Sequence, residues 1–390
     1  MDTDKVCDIV KRLIEHVDNR TADYADTIMT VDPAIYADAD HGRRELHIFA
    51  DAPAVVGHVS ELPDPGNFLT VDVIGVPVLV VRQDDGTIQA FANVCRHRGA
   101  RVESKEYGRR KMFACPYHKW CYSRDGAIRS MPFDDGFAEV DRRERGLQKL
   151  PTAELFGHIW VAPNADPERD LLEDMRAELG DDLISQLQSF GISDTWMFRK
   201  KTFSVPINWK VILEGFLDPY HLQFVHPETV GPFFHTNIYT FEPHGKSGRI
   251  LVARRGIEEL RDRDPSTYNF RRFVATNYTL YPATVVVPAP EHFEVWTILP
   301  DPNDVTRSEV TIRIAAPFSD NEDKQRDYLE KNWELLCYAL EEEDWMVSAT
   351  IMPGVRARVL DELVLGRNEA PIQHFHRSLF ADLEARAGVR

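Results

Sequence analysis

Two short stretches of the chain each hold one cysteine and one histidine: Cys95-Arg96-His97 and Cys115-Pro116-Tyr117-His118, with seventeen residues between them. A soft thiolate and an imidazole one or two residues apart on a tight loop can both reach one metal centre. Gly99 and Gly108 flank the loops and Pro116 sits inside the second. Two thiolates and two imidazoles suit a tetrahedral zinc ion, and they equally suit a two-iron, two-sulfide cluster in which imidazoles replace both thiolates on one iron. Zinc fingers favour two cysteines in one half and two histidines in the other. Here each half carries one of each, as expected if the thiolate pair holds one iron and the imidazole pair the other. Neutral imidazoles make the oxidised cluster less negative, so its potential lies on the order of hundreds of millivolts above all-cysteine plant-type clusters. Such a centre relays one electron at a time. Cys7, Cys121 and Cys337 fall outside the pattern and read as packing or surface thiols.

The second set of residues is more dispersed. Asn208-Trp209-Lys210 is followed by Asp218-Pro219-Tyr220-His221 and then by His226-Pro227. Five positions on an ideal helix separate His221 from His226 by about 140°. They can share a metal only if the helix opens or ends between them, and Pro227 biases His226 away from the α region. Two histidines need a carboxylate to complete a facial Fe(II) site with positions left open for O2 and water. The helical stretch around 333–351 offers one. Trp333, Leu336, Leu340, Val347 and Ile351 form its apolar stripe, and Asp344 falls about 40° from the stripe's centre, whereas Glu341 and Glu342 point well outside it. A carboxylate on a buried face is costly unless it is paired or bound to metal. Asp344 is therefore the expected ligand, with Glu343 at the stripe's edge as the alternative.

These residues need elements to hold them. Val6, Ile9, Val10, Leu13, Ile14 and Val17 recur at helical spacing, giving an amphipathic helix that packs on the following domain or on a neighbouring subunit and fades towards Asp32-Pro33. From about 46 to 162, short β-like runs alternate with turn pairs such as Asp84-Asp85-Gly86, which suggests a small sandwich or barrel. A polar linker and a helix occupy about 163–190. Beyond it, strand-like runs (196–205, 249–253, 277–280, 284–287, 293–299, 309–315) mix with helices near 208–225, 324–351 and 371–386, arguing for an α+β domain. The expected boundaries are 1–44 for an N-terminal helical segment, 45–165 for the β domain and 166–390 for the α+β domain. With 46 basic and 63 acidic residues, the net charge of −17 repels phosphate backbones and anionic headgroups, so nucleic-acid and membrane roles are not expected. Five cysteines make no disulfide scaffold. The start MDTDKVCDIV lacks the features of a secretory signal, and the longest apolar stretches fall far short of a bilayer span; a cytoplasmic protein is expected.

The Cys-x-His and Cys-x-x-His core, its Cys95-Arg-His-Arg-Gly99 and Cys115-Pro-Tyr-His-Lys-Trp120 forms, and the Asp125-Gly126 turn after Tyr122 resemble Rieske domains. Together with Asn208-Trp-Lys210, Asp218-x-x-His221, His226, Glu343-Asp344, and the Gly366-Arg-Asn-Glu369 and His374-Phe-His376 echo, the chain from about 45 onward resembles the α-subunit of Rieske non-haem iron ring-hydroxylating oxygenases. The resemblance implies an N-terminal all-β Rieske [2Fe–2S] domain and an α+β helix-grip (START-like) catalytic domain with an antiparallel sheet. It places the cluster on Cys95, His97, Cys115 and His118, and a mononuclear Fe(II) on His221, His226 and Asp344. Asp218 would accept a hydrogen bond from His221 and bridge to His97 or His118 of an adjacent chain in a head-to-tail ring, usually a homotrimer. Electrons would come from NAD(P)H through a reductase, in some members with a ferredoxin, and a small β-subunit accompanies some members. Two features depart from the pattern: Glu214-Gly215 stands where many members have Glu-Asn, and Pro219 leaves the direction of Asp218 open. The leading expectation is hydroxylation, as a dihydroxylation, of an aromatic substrate. The alternatives are monooxygenation or demethylation of an alkyl, O-methyl or N-methyl (quaternary amine) group, and, remotely, a Rieske electron-transfer protein with no second iron. Phe224, Phe233, Phe234, Tyr278, Tyr281 and Trp296 read either as pocket lining or as core; His374 and His376 read as subunit packing or surface.

Overall fold

Turn pairs cut the segment between residues 49 and 177 into short strands. At Ile74-Gly75 both residues have positive φ (46° and 83°), the mirror-image turn that joins two twisted antiparallel strands with a two-residue loop. It links Asn67–Val73 to Val76–Arg82 in a five-stranded sheet whose outer members are Lys149–Leu150 and Tyr107–Arg109. A second sheet joins Ala54–His58, Thr152–Leu155 and His158–Val161, and a third joins Met112–Ala114, Cys121–Ser123 and Ile128–Ser130. Phe68, Leu79, Phe91, Phe113, Trp120 and Tyr122 fill the core of this unit, and Cys95 and Cys115 are part of it. The unit is Phe49–Ala177; residues up to Ile48 and from Glu178 onward form the other. This computed structural model describes residues 3–164, 166–319 and 321–388.

The larger unit is built on a seven-stranded antiparallel sheet: β1 (Thr195–Val205), β2 (Phe234–His244), β3 (Ser247–Arg254), β4 (Val274–Leu280), β5 (Thr284–Pro288), β6 (Phe293–Pro300) and β7 (Ser308–Pro317). Strands β2 to β7 meander in sequence order, and β1 closes the far side against β7. The sequence pattern missed β2. It is an edge strand, its pairing is irregular between Phe234 and Tyr239, and Asn237 sits at φ 51°, so its burial never alternates cleanly.

The N-terminal segment does not stand apart. Helix α1 (Thr3–Asn19) lays Ile9, Val10, Leu13 and Ile14 against Ile238, Leu251, Ala253 and Val274 of the seven-stranded sheet, rather than against the β domain that follows it in sequence. Helix α2 (Trp209–Leu217) starts at an Asn208 cap whose side chain accepts from Lys210 N, and it ends at Asp218. Its first turn is pinned by a wholly buried ion pair: Lys210 Nζ lies 2.6 and 2.8 Å from the two oxygens of Glu45, and Trp209 Nε1 donates to the same carboxylate at 2.8 Å. Burial alone would raise the Glu45 carboxyl; Lys210 and His41 outweigh it and hold it below its ordinary value. After α2 come α3 (Leu222–Val225), then α4 (Glu322–Tyr338), α5 (Trp345–Arg356) and α6 (Ala370–Ala387). No helix among the described residues is long and apolar enough to cross a membrane.

Removing one partner from a buried pair strands the other charge, at a cost of about 3–5 kcal/mol. Lys210→Met should therefore lower the unfolding free energy of the larger unit by that amount in denaturant titration. The double variant Glu45→Gln with Lys210→Met should recover most of the loss; equal damage in both would refute a charge-pair origin.

Candidate metal centres

The two Cys/His loops are built alike. In the first, Cys95 N donates to Ala100 O and Gly99 N to Cys95 O; in the second, Cys115 N donates to Trp120 O and Lys119 N to Cys115 O. In each loop the fourth residue after the cysteine is left-handed, Gly99 at φ 76° and Lys119 at φ 60°. Both thiols are buried, neither is in a disulfide, and the imidazoles are half-buried. The rings of His97 and His118 lie 4.7 Å apart, His97 stacks on Trp120, and Tyr117 stacks on His118. Burial pushes the Cys115 thiol up, with Cys95 adjacent to it, so two thiolates here need a cation beside them. His97 Nδ1 is buried with no hydrogen-bond partner among the described residues. Thiols paired on one side and imidazoles on the other fit a two-iron cluster. Tyr122 Oη lies 3.3 Å from Cys95 Sγ and accepts from Arg96 N at 3.0 Å; the sequence marked this residue only by its place before the Asp125-Gly126 turn.

The larger unit gathers His221, His226 and Asp344, with one potential ligand atom from each lying within 4.8 Å of the others. Backbone breaks make this possible. Helix α2 stops at Asp218 (φ −117°, ψ 90°), directly before Pro219; a single turn follows; and His226 (φ −118°, ψ 47°) leaves the helix before Pro227. Gly231 lets the chain fold back on that turn, since a Cβ there would sit 2.6 Å from His226 O. Asp344 ends a π-helical segment, Ala339–Asp344, inserted between α4 and α5. The extra residue shifts the helix's phase. Val347 and Ile351, expected on the buried stripe, are 50% and 40% exposed, while Met352 and Val355 are buried instead.

Each histidine presents Nε2 to the cluster of ligand atoms and has a carboxylate behind its Nδ1. His226 Nε2 is 2.9 Å and His221 Nε2 3.7 Å from Asp344 Oδ1. Asp218 Oδ2 lies 3.5 Å from His221 Nδ1, and Glu343 Oε2 lies 2.7 Å from His226 Nδ1 while accepting from Thr229 Oγ1 at 2.6 Å. Carboxylates so placed fix the tautomer and aim the ring. Glu343, the alternative ligand in sequence, thus backs a histidine, and periodicity held no signal for that. Burial by itself would lower the His226 imidazole, but Asp344 and Glu343 outweigh it and raise its range. The six aromatics singled out in sequence do not form one lining. Phe224 and Phe233 are exposed, Tyr278 is buried against Gln186, Tyr281 donates to Asp382, and Trp296 meets Phe216 edge-on at 4.7 Å.

Residues 52–149 match the family described as Rieske [2Fe-2S] domain, and residues 193–384 match the catalytic domain of the ring hydroxylating alpha subunit. The glycine betaine monooxygenase oxygenase subunit of Chromohalobacter salexigens is 33% identical over 208 residues, 53% of this chain but only 45% of that protein. The carnitine monooxygenase oxygenase subunit of Escherichia coli is 26% identical over 372 residues, 90% of this chain and 92% of that one. A crystal structure of a quaternary ammonium Rieske monooxygenase superposes with a TM-score of 0.75 at 21% identity, covering 93% and 96% of the two chains. Alpha subunits of chlorobenzene and biphenyl dioxygenases are similar as well.

Asp344→Ala should leave the mononuclear site without iron while the Rieske absorption stays intact, read by metal analysis and visible spectra. Glu343→Gln should keep iron with affinity about 10–100-fold weaker. The reverse pattern would make Glu343 the ligand.

Proposed function

The chain belongs to the ring-hydroxylating oxygenase alpha subunits that carry a Rieske domain, and we propose that within this family it is a monooxygenase acting on an N-methyl or neighbouring alkyl carbon of a quaternary amine. Cys95, His97, Cys115 and His118 would hold its cluster, and His221, His226 and Asp344 would hold its iron. The observation that carries the substrate class is the match along 92% of a carnitine monooxygenase subunit, reinforced by the glycine betaine monooxygenases. Dihydroxylation of an aromatic ring, the leading expectation from the sequence, is the second reading, since aromatic dioxygenase subunits are also relatives.

The chain's own chemistry suits a cation. Its net charge is −17, and a positively charged substrate is drawn towards such a surface. Phe216, two residues before Asp218, meets Trp296, whose Nε1 donates to Glu294 at 3.1 Å. Trp296 is itself buried, so the half-buried Phe216 is the ring of this pair that a quaternary ammonium would meet. Gly215 is exposed, and a Cβ there would meet no atom within 4 Å, so the position where many members carry Asn is open here.

When bound, the iron would supply O2 activation and the cluster would supply electrons singly. The protein's part is to aim both imidazoles, through Asp218 behind His221 and Glu343 behind His226, and to complete the facial set with Asp344. Asp218 also faces outward enough, at 21% side-chain exposure, to meet a cluster histidine of an adjacent copy in a head-to-tail ring. A reductase would deliver the electrons from NAD(P)H.

Single-turnover reactions of the reduced, iron-loaded protein with O2 should convert a trimethylammonium substrate to a tertiary amine and an aldehyde: formaldehyde if the N-methyl carbon is hydroxylated, the larger aldehyde with trimethylamine if the neighbouring carbon is. A cis-diol from an aromatic compound, with no amine turnover, would establish the second reading. Gly215→Asn should raise the amine's KM about tenfold or more without changing iron content; an unchanged KM would remove Gly215 from the pocket.

A further inference from the structure

The face of the seven-stranded sheet that lies under α2 carries a guanidinium with no acceptor. Strand alternation puts Arg254 in line with Ile250 and Val252 on β3, and these two stand opposite Asn277 and Ala275 of β4. Asn277 Nδ2 donates to Phe216 O at 3.0 Å, which identifies this face as the one beneath α2. Glu294 and Trp296, two apart on β6, share it, since Trp296 meets Phe216. Arg254 is half-buried, and its Nε is buried without a hydrogen-bond partner. Among the described residues its side chain makes no hydrogen bond or ion pair; the guanidinium lies over the Phe234 ring, 4.9 Å from its centroid.

Other unsatisfied donors surround it. Arg271 Nε is also buried without a partner, while Nη2 donates to Ala289 O and lies 3.4 Å from His292 O, tying down the loop that leads into β6. His292 is 2% exposed, and neither ring nitrogen has a hydrogen-bond partner among the described residues. The Tyr328 ring of α4 stands 6.2 Å from that imidazole. Two carboxylates are near. Glu294 Oε2 accepts from Trp296 Nε1, and Oε1 lies 3.6 Å from His292 Nε2; Glu291 is exposed. Among the described residues neither forms an ion pair with Arg254 or Arg271. Burial pulls both guanidiniums below the ordinary arginine value, against the charges of Tyr328 and Glu294 at Arg254 and of Tyr328 and Glu291 at Arg271. A charge withdrawn from water without an acceptor is costly, and a carboxylate brought by a ligand removes that cost.

This corner joins the candidate iron site by two short chains of contact. Phe234 belongs to the apolar cluster against which Leu222, the residue after His221, packs. Trp296 meets Phe216, two residues before Asp218. Trp296 and Glu294 are about 7 Å apart along their strand. A ligand with its ammonium beside Phe216 and its other end towards Arg254 would lie along the side chains of Val252, Ala275 and Val287, which share this face.

We propose that Arg254, with an N–H of His292 beside it, is the carboxylate-binding subsite of the substrate pocket, so that the substrate is a zwitterion carrying a carboxylate a few carbons from its quaternary ammonium. The proposal rests on the quaternary-amine reading and narrows it. Arg254 supplies the planar fork that a carboxylate matches, Arg271 holds the His292 loop, and the ammonium end remains with Phe216.

Calorimetric titration of the iron-loaded full chain, kept anaerobic, reads this without turnover. The wild type should bind trimethylammonium butyrate, whose carboxylate ends the chain, about tenfold or more tighter than butyltrimethylammonium. Arg254→Gln should bring the two to equal affinity, leaving butyltrimethylammonium binding, iron content and Rieske absorption unchanged. Arg254→Lys keeps the charge and loses the fork; it should show a reduced preference, and it serves should the Gln variant fail to fold. No preference in the wild type, or an undiminished preference in either variant, overturns the proposal. Butyrate alone binding as tightly as the zwitterion would make this a site for a free anion and overturn it equally. Benzoate bound by the wild type and lost in Arg254→Gln, with neither amine bound, would uphold the carboxylate subsite and count against the quaternary-amine reading alone.

Discussion

An α-helix cannot bring two residues five positions apart to one point, and the proposed iron site of this chain depends on escaping that constraint. The backbone leaves α geometry at Asp218, again at His226, and through the π-helical segment that ends at Asp344. Proline follows each of the first two breaks and makes it local and cheap. The π segment, by inserting one residue, re-aims the chain beyond Leu340. Each departure gives up regular hydrogen bonding, and each lies beside the point where His221, His226 and Asp344 bring their ligand atoms together.

Such irregular backbone holds its shape only because regular structure grips it from outside. Helix α2 is fixed at its start by the buried Lys210–Glu45 pair and by the Asn208 cap, whose amide also donates to Tyr36 O and Val305 O. At its end, Asp218 Oδ1 accepts from Tyr220 N and so shapes the turn that leads to His221. Carboxylates then hold both imidazoles from behind, so the direction of each Nε2 is decided before any metal arrives. The cluster loops use a different device. Two copies of one tight turn are rooted by cysteines in an apolar core, and the histidines are carried outward on the loop tips.

Much of this was legible in the sequence, for reasons that differ residue by residue. Cys95, His97, Cys115 and His118 stand out because few other side chains ligate iron and because each loop is local. Pro227 announced the break at His226. Asp344 is a more instructive case: a 3.6-residue period points to it through a segment that is not α-helical, and the same stripe fails at Val347 and Ile351. Glu343 was placed beside it without its role, because periodicity reports a face and not a partner. Tyr36, Glu45 and His376 were out of reach altogether as neighbours of α2. Their contacts close loops of more than 160 residues, and no local pattern encodes such a meeting. The same limit hid where α1 packs.

Two broken helices thus bring two buttressed imidazoles and one aspartate together at the proposed site of a single iron. Diffraction from the iron-loaded protein on either side of the iron absorption edge tests it most directly. The account predicts, apart from the cluster, one anomalous peak in the larger unit, bounded by His221 Nε2, His226 Nε2 and Asp344, with Asp218 and Glu343 behind the rings. A peak ligated by Glu343, or no iron between the two histidines, would contradict it.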